Sequence, residues 1–175
     1  MDRNKQQTDT LPELLDRVRS TLDYSELGKL VRARRRLADA GTPRTDTLTP
    51  VRVAIAGNAT TKYLTPLIEL FLESYGVEAT VHEVPYGSTE SELLLDSSPL
   101  SAFKPQLLII VQSPLAITDW PADTAGEEEA AAFAESRVSH THGLCRKAHE
   151  RFGCEVLVDN WHRLPDRPHG SWARQ

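Results

Sequence analysis

The residues best placed to do chemistry follow an apolar run, in the stretch VRVAIAGNATTKYL from Val51 to Leu64. A Gly-polar turn between a buried strand and a helix is where many α/β proteins hold an anion or a nucleophile, because unpaired helix N–H groups converge there. Gly57 allows the tight turn, Asn58, Thr60 and Thr61 offer hydrogen-bond donors, and Ala59 offers none. One of the two threonines is expected to N-cap the following helix, a role compatible with holding a ligand oxygen. A second constellation is Asp159-Asn160-Trp161-His162, whose D-x-x-H spacing could supply an acid and a base. With Thr60 or Thr61 as nucleophile, Asp159 and His162 would make a hydrolase. The milder reading has Trp161 packing and Asn160 or His162 touching a ligand. A third set, His142, Cys145 and His149, recurs at one helix face with His140 and Cys154 nearby. Zinc accepts such ligands, but structural zinc sites usually pair ligands from two separate segments, and Cys145 fits the apolar face with Leu144, Ala148 and Phe152. No metal site is expected. Neither a GxGxxG nor a GxxxxGK[ST] phosphate fingerprint occurs, and no DxDxT phosphatase motif does.

These residues need elements to hold them. Val51, Val53, Ile55 and Ala56 read as a buried parallel strand, followed by a helix carrying Tyr63, Leu67, Leu70, Phe71 and Tyr75 and closed by Gly76. Val77 to Val84 alternates as a second strand. After it come a turn, a short helix through Leu93 to Leu95 and another turn before Pro105. Gln106 to Val111 is the most hydrophobic run and predicts the central strand, ending at polar Gln112-Ser113-Pro114. A long helix over about Ala125 to Phe152 opens on Glu127, Glu128 and Glu129 and ends on Arg146, Lys147 and Arg151, as the helix macrodipole favours. Gly153 stops it, and Glu155 to Val158 gives a fourth strand. The order β-α-β-α-β-α-β predicts a three-layer α/β/α, mostly parallel sheet of flavodoxin-like class. Ligands of such sheets bind beyond the carboxyl ends of the strands, here Gly57 to Thr61, Val84 to Gly87, Gln112 to Pro114 and Asp159 to His162, with Ser113 a further ligand contact.

Ahead of this domain, apolar residues from Leu11 to Leu22 and from Leu27 to Leu37 recur at helical spacing, with Ser25 as N-cap of the second helix. The expected organisation is a helical pair over 1–41, a linker over 42–50 and an α/β domain over 51–175. Arg32, Arg34, Arg35 and Arg36 cluster in the second helix, either as a solvated face or as a docking patch for an acidic partner. The formal net charge is −5 across 175 residues, which gives no general attraction to nucleic acid or to an anionic membrane. No apolar run approaches the roughly 20 residues that cross a bilayer, and the polar start MDRNKQQTDT lacks a signal-peptide core. Two cysteines make no disulfide framework, so the expected compartment is the cytoplasm.

Three blocks, AIAGNATTKYLTPLIELFLESYGVEATVHEVPYG, LLLDSSPLSAFKPQLLIIVQS and LPDRPHGS, together resemble the N-terminal region of FkbH-like proteins of the haloacid dehalogenase (HAD) superfamily, subfamily IIIC. The resemblance runs from about Val51 to Ser171. It implies a degenerate SGNH-hydrolase-like domain joined to a HAD phosphatase-like domain, in polyketide and related natural-product assembly. There the whole protein loads a glyceryl unit from a phosphorylated three-carbon acid onto an acyl carrier protein. Esterases of the SGNH (GDSL) class carry Gly-Asp-Ser where this chain has Gly57-Asn58-Ala59, so their serine chemistry is lost here. The implied partners are therefore the carrier protein and the phosphorylated acid. No cofactor is implied within this chain, Mg2+ being expected only in a downstream phosphatase-like domain, and the α/β domain is expected to be incomplete at its C-terminus.

Overall fold

A computed structural model describes residues 10–42, 47–122 and 124–160. The elements run α1 (Leu11–Ser20), α2 (Tyr24–Asp39), β1 (Thr49–Gly57), α3 (Thr65–Ser74), β2 (Val77–Glu83), α4 (Thr89–Leu94), α5 (Pro99–Phe103), β3 (Leu107–Val111), a 3₁₀ turn (Pro114–Ala116), α6 (Glu127–Phe152) and β4 (Glu155–Val158). The strands form one four-stranded sheet in the order β2-β1-β3-β4, flanked by helices in the expected α/β/α class. β1 pairs with β3 in parallel from Val53↔Leu107 to Gly57↔Val111, and β3 with β4 from Leu107↔Glu155 to Ile110↔Val158. The hydrophobic runs of β1 and β3 occupy the two central positions of the sheet; Val53 to Ala56 of β1 are buried on both faces, whereas in β3 buried Leu108 and Ile110 alternate with half-buried neighbours.

The chain divides into two compact units, one of Met1–Val51 with Lys62–Val81, the other of Arg52–Thr61 with His82–Gln175. In the first, Leu11, Leu14, Leu15 and Val18 of α1 join Leu30 of α2 and Leu70 of α3 in one core. Leu14, Val18 and Leu30 are almost wholly buried, and burial of each stabilises by roughly 1.5–3 kcal/mol. The start of α2 differs from expectation. Asp23, not Ser25, is the N-cap, its carboxylate accepting the Glu26 N–H at 2.7 Å. An aspartate at this place both caps and carries charge that the helix dipole favours. Arg34 likewise leaves the solvated face. Its guanidinium donates to both carboxylate oxygens of Glu73 at 2.8–2.9 Å.

The helix after β1 begins at Thr65, with Leu64 at its N-cap and Pro66 in its first turn. Thr60 and Thr61 therefore do not cap it, because Lys62-Tyr63-Leu64 form an intervening turn. Pro66 suits the first turn, where its missing N–H costs nothing. Of the apolar residues expected on its buried side, Leu70 is buried, while Tyr63, Phe71 and Tyr75 are exposed, the last two in ring contact at 5.2 Å.

In the second unit, Ala54 and Ala56 of β1, Leu108 and Ile110 of β3, Leu93, Leu100, and Leu144 and Ala148 of α6 build the core with Cys154. The region between β2 and β3 corrects the expectation of one short helix and a turn. α4 spans Thr89–Leu94, and Ser98-Pro99-Leu100 opens a second helix, α5. The Ser98 hydroxyl donates to the Glu92 carbonyl at 2.7 Å and accepts the Ser101 N–H at 3.1 Å. The buried Glu92 carboxylate takes the Leu100 N–H at 2.9 Å. Leu100 is then wholly buried, and Lys104 ends the helix in the left-handed conformation at φ 51°. Arg151, near the end of α6, clamps this pair by donating to the Leu93 carbonyl at 2.6 Å and the Ser101 hydroxyl at 2.7 Å.

α6 runs as the acid-first, base-last pattern demands, and Gly153 closes it at φ 62° with its N–H on the His149 carbonyl at 2.8 Å. Its buried residues, Leu144 and Ala148, lie in the C-terminal half. Nearer its start, the Phe133 ring meets Trp120 at 5.1 Å and the Arg137 guanidinium at 5.3 Å.

Candidate functional site

At the carboxyl ends of β1 and β3 a cavity of about 190 Å³ opens, walled by Gly57, Asn58, Gly87, Thr89, Glu90, Ile110, Gln112, His140 and Leu144. Its floor is set by close strand contact. A Cβ at Gly57 would lie 1.9 Å from the Val111 carbonyl oxygen, so only glycine lets β1 end against β3 here. The next residue continues the pairing, with the Asn58 N–H on the Val111 carbonyl at 3.2 Å. The Asn58 side-chain oxygen accepts the Ser113 N–H at 2.6 Å. That bond turns the amide oxygen toward Ser113 and leaves the NH₂ group as a donor available to a ligand. The Gly87 N–H binds the Gly57 carbonyl at 3.2 Å and fixes the loop after β2 over the turn.

The far wall comes from helices. Thr89 and Glu90 open α4, and His140 and Leu144 lie one helical turn apart on α6. His140 Nδ1 stands 3.4 Å from a Glu90 carboxylate oxygen. In a neutral imidazole one ring nitrogen donates and the other accepts, so this ring can meet either end of a ligand hydroxyl. Gln112, at the end of β3, is held at both ends: its N–H donates to the Asp159 carboxylate at 2.7 Å and its side-chain amide to the Thr141 hydroxyl at 3.1 Å. The site thus offers an amide donor, a buried threonine hydroxyl, a carboxylate and an imidazole beside apolar Ile110 and Leu144. Such a wall suits a small, hydrogen-bonding ligand.

Gly57 and Asn58, marked from the sequence, are in the wall. Ser113 is beside them, but its hydroxyl accepts the Leu115 N–H at 3.3 Å and so opens the 3₁₀ turn. Thr61 is buried and Thr60 exposed, and neither lines the cavity. Asp159 joins the β3 and β4 ends through Gln112, and Asn160 is exposed at the end of the described residues. His162 and the LPDRPHGS block lie outside the described residues. Thr89, Glu90 and His140 were not marked as site residues by sequence reasoning. His140 entered only as a neighbour of the helical His/Cys set, and the one usable signal was that α6 and α4 border the strand ends in this fold class.

The helical His/Cys set itself does other work. His149 Nδ1 faces the Cys154 carbonyl at 3.2 Å, and burial pushes the Cys145 and Cys154 thiols up from their ordinary value, away from the thiolate that a metal needs. Among the described residues no group of three or more His, Cys, Asp or Glu is arranged to hold a metal ion. No described helix is long and apolar enough to cross a membrane.

The sheet defines an α/β/α domain, with a cavity beyond its strand ends where sheets of this class bind ligands. No family model matches the chain. No curated protein matches it either. Among solved structures it is similar to the N-terminal part of the protein BF1531 from Bacteroides fragilis, containing a phosphatase domain and complexed with Mg, at TM-score 0.59 and 21% identity over 79% of this chain. The chain spans 36% of that protein's solved chain, and at this identity the likeness carries the fold.

Proposed function

We propose that this chain is the SGNH-like domain of an FkbH-like protein, acting in the cytoplasm in natural-product assembly. It assists the loading of a glyceryl unit from a phosphorylated three-carbon acid onto an acyl carrier protein, and it does so by binding rather than by breaking a bond. The observation that carries this reading is the turn after β1. Gly57 and Asn58 line the cavity, the Asn58 NH₂ is left as a donor, and the following residue is Ala59, with no nucleophilic atom. The fold likeness to a fragment that contains a phosphatase domain supports a chain that works beside such a domain. The Mg2+-dependent dephosphorylation then belongs to that domain.

In this role the Asn58 amide and the Thr89 hydroxyl hold the carbonyl and hydroxyl oxygens of the glyceryl unit, and the Glu90–His140 pair receives a ligand hydroxyl. Thr60, Thr61, Ser113 and Asn160 support the loops around it. An esterase or thioesterase using Thr60 or Thr61 with Asp159 and His162 has less to favour it, since the Asp159 carboxylate is taken by the Gln112 N–H and Thr61 is buried. The test is an NMR titration of the isotope-labelled chain with a glyceryl-loaded carrier protein. Shifts at Gly57, Asn58, Gln112 and Thr89 are expected, together with binding several-fold weaker in Asn58→Ala, as for loss of one ligand hydrogen bond of about 1 kcal/mol. A titration that leaves the turn unmoved sinks the proposal.

A further inference from the structure

The helical unit carries a feature that the cavity does not use. On α2, Leu27, Leu30 and Leu37 face the core and Arg34 turns partly inward to its ion pair with Glu73. The opposite arc holds Lys29, Arg32, Arg35 and Arg36, all exposed. At 100° per residue Lys29, Arg32 and Arg36 fall within a sector of about 60°, and Arg35 lies about 60° beyond Arg32, so the four cations span about 120° of the helix surface. Lys29 reaches the Glu26 carboxylate at 3.5 Å, an exposed pair of little strength. Among the described residues none pairs with Arg32, Arg35 or Arg36. Three unpaired guanidinium groups on one turn and a half of helix repel one another, and the chain as a whole is acidic at −5. The arc is thus a local cationic ridge about 10 Å long on an otherwise acidic protein. Arg35 also borders a groove of about 190 Å³ with apolar Val31, Ala38, Pro66 and Leu70 in its wall.

We infer that this ridge is a docking face for an acidic helix of a protein partner, with the acyl carrier protein as that partner; this rests on the loading role proposed above. Charge complementarity selects the occupant. A helix with carboxylates three and four residues apart presents them at the spacing of Lys29, Arg32 and Arg36, and each guanidinium can grip a carboxylate in two-point fashion. A nucleic acid is a poorer match, because a ridge of four cations on a chain of net charge −5 lacks the broad basic face that polyanions need.

The test uses the full chain, a carrier protein, and the variant Arg32→Glu/Arg35→Glu/Arg36→Glu, with Arg34 left in place and helicity checked by circular dichroism. The expected result is carrier-dependent shifts at 29–36, affinity lowered about tenfold or more by the charge reversal, and a similar fall in high salt. Reversing acidic residues on the carrier helix should restore binding to the variant, which a merely structural role would not do. A carrier protein that binds the reversed variant as tightly as the parent overturns the docking face and leaves the loading role standing. A carrier protein that binds neither overturns both. Binding of single-stranded RNA or anionic vesicles that the reversal abolishes, with carrier binding unaffected, assigns the ridge to a different partner and also overturns it.

Discussion

In the helical unit the partly buried charge meets another side chain, Arg34 on Glu73. In the sheet unit several fixed polar side chains meet backbone as well: Glu92 takes the Leu100 amide, Asp159 the Gln112 amide, Asn58 the Ser113 amide, and Arg151 holds the Leu93 carbonyl beside the Ser101 hydroxyl. The difference follows from what each unit leaves unsatisfied. Packed helices pair most of their own backbone, so in the helical unit only the helix starts need side-chain acceptors such as Glu13 and Asp23. The ends of parallel strands and short helices leave N–H and C=O groups that must find partners. A site built among such groups can be positioned tightly with few residues, which is what the Gly57 turn has.

The largest effect should come from breaking the strand contact. Gly57→Ala forces a Cβ to within 1.9 Å of the Val111 carbonyl, and urea denaturation should show a loss of about 3–5 kcal/mol or a chain that does not fold. Gly41, at φ 68° with open space around it, is the control in the other unit; its alanine variant should lose only about 1 kcal/mol. Next, Arg151→Met leaves the Leu93 carbonyl and the Ser101 hydroxyl without their donor. A loss of about 2 kcal/mol is expected, with faster amide exchange confined to α4 and α5.

The helical unit should respond less. Glu73→Gln keeps one acceptor for Arg34 and removes the charge, and because both side chains keep some solvent contact the cost should be about 1 kcal/mol. The smallest effect is a pH dependence. At the start of α1 the Thr10 N–H and hydroxyl donate to the Glu13 carboxylate at 2.9 and 2.8 Å, and these bonds hold its carboxyl below the ordinary value. A lowered folded value means that the contribution is present above the unfolded value and lost as pH falls through the folded one. Acid titration of the parent should therefore show a small stability loss that Glu13→Gln lacks.

Much of the sheet was legible because its signals are local. The runs in β1, β3 and β4, the acid-to-base order of α6 and the stop at Gly153 each depend on neighbouring residues alone. What was misread depends on distant partners. α5 hides in a Ser/Pro-rich stretch, and it forms because Glu92, eight residues before Leu100, satisfies its first turn. The stretch LLLDSSPLSAFKP thus builds a helix pair. Thr60 and Thr61 read as caps because threonine caps helices well, but Pro66 sets the start. The site shows the same divide. Gly57 and Asn58 stand at the end of the strand that the sequence marks, whereas Thr89, Glu90 and His140 reach the cavity from α4 and α6, where the one pattern the sequence shows, the His/Cys set of α6, points to a metal rather than to this cavity.

In the function proposed above, the turn after β1 binds without cleaving. The most direct measurement incubates the chain with a glyceryl thioester and follows binding and hydrolysis in the same sample. Saturable binding that weakens in Asn58→Ala is expected, with no hydrolysis above the uncatalysed rate. Turnover that is lost in Thr60→Ala, Thr61→Ala or His162→Ala would contradict it.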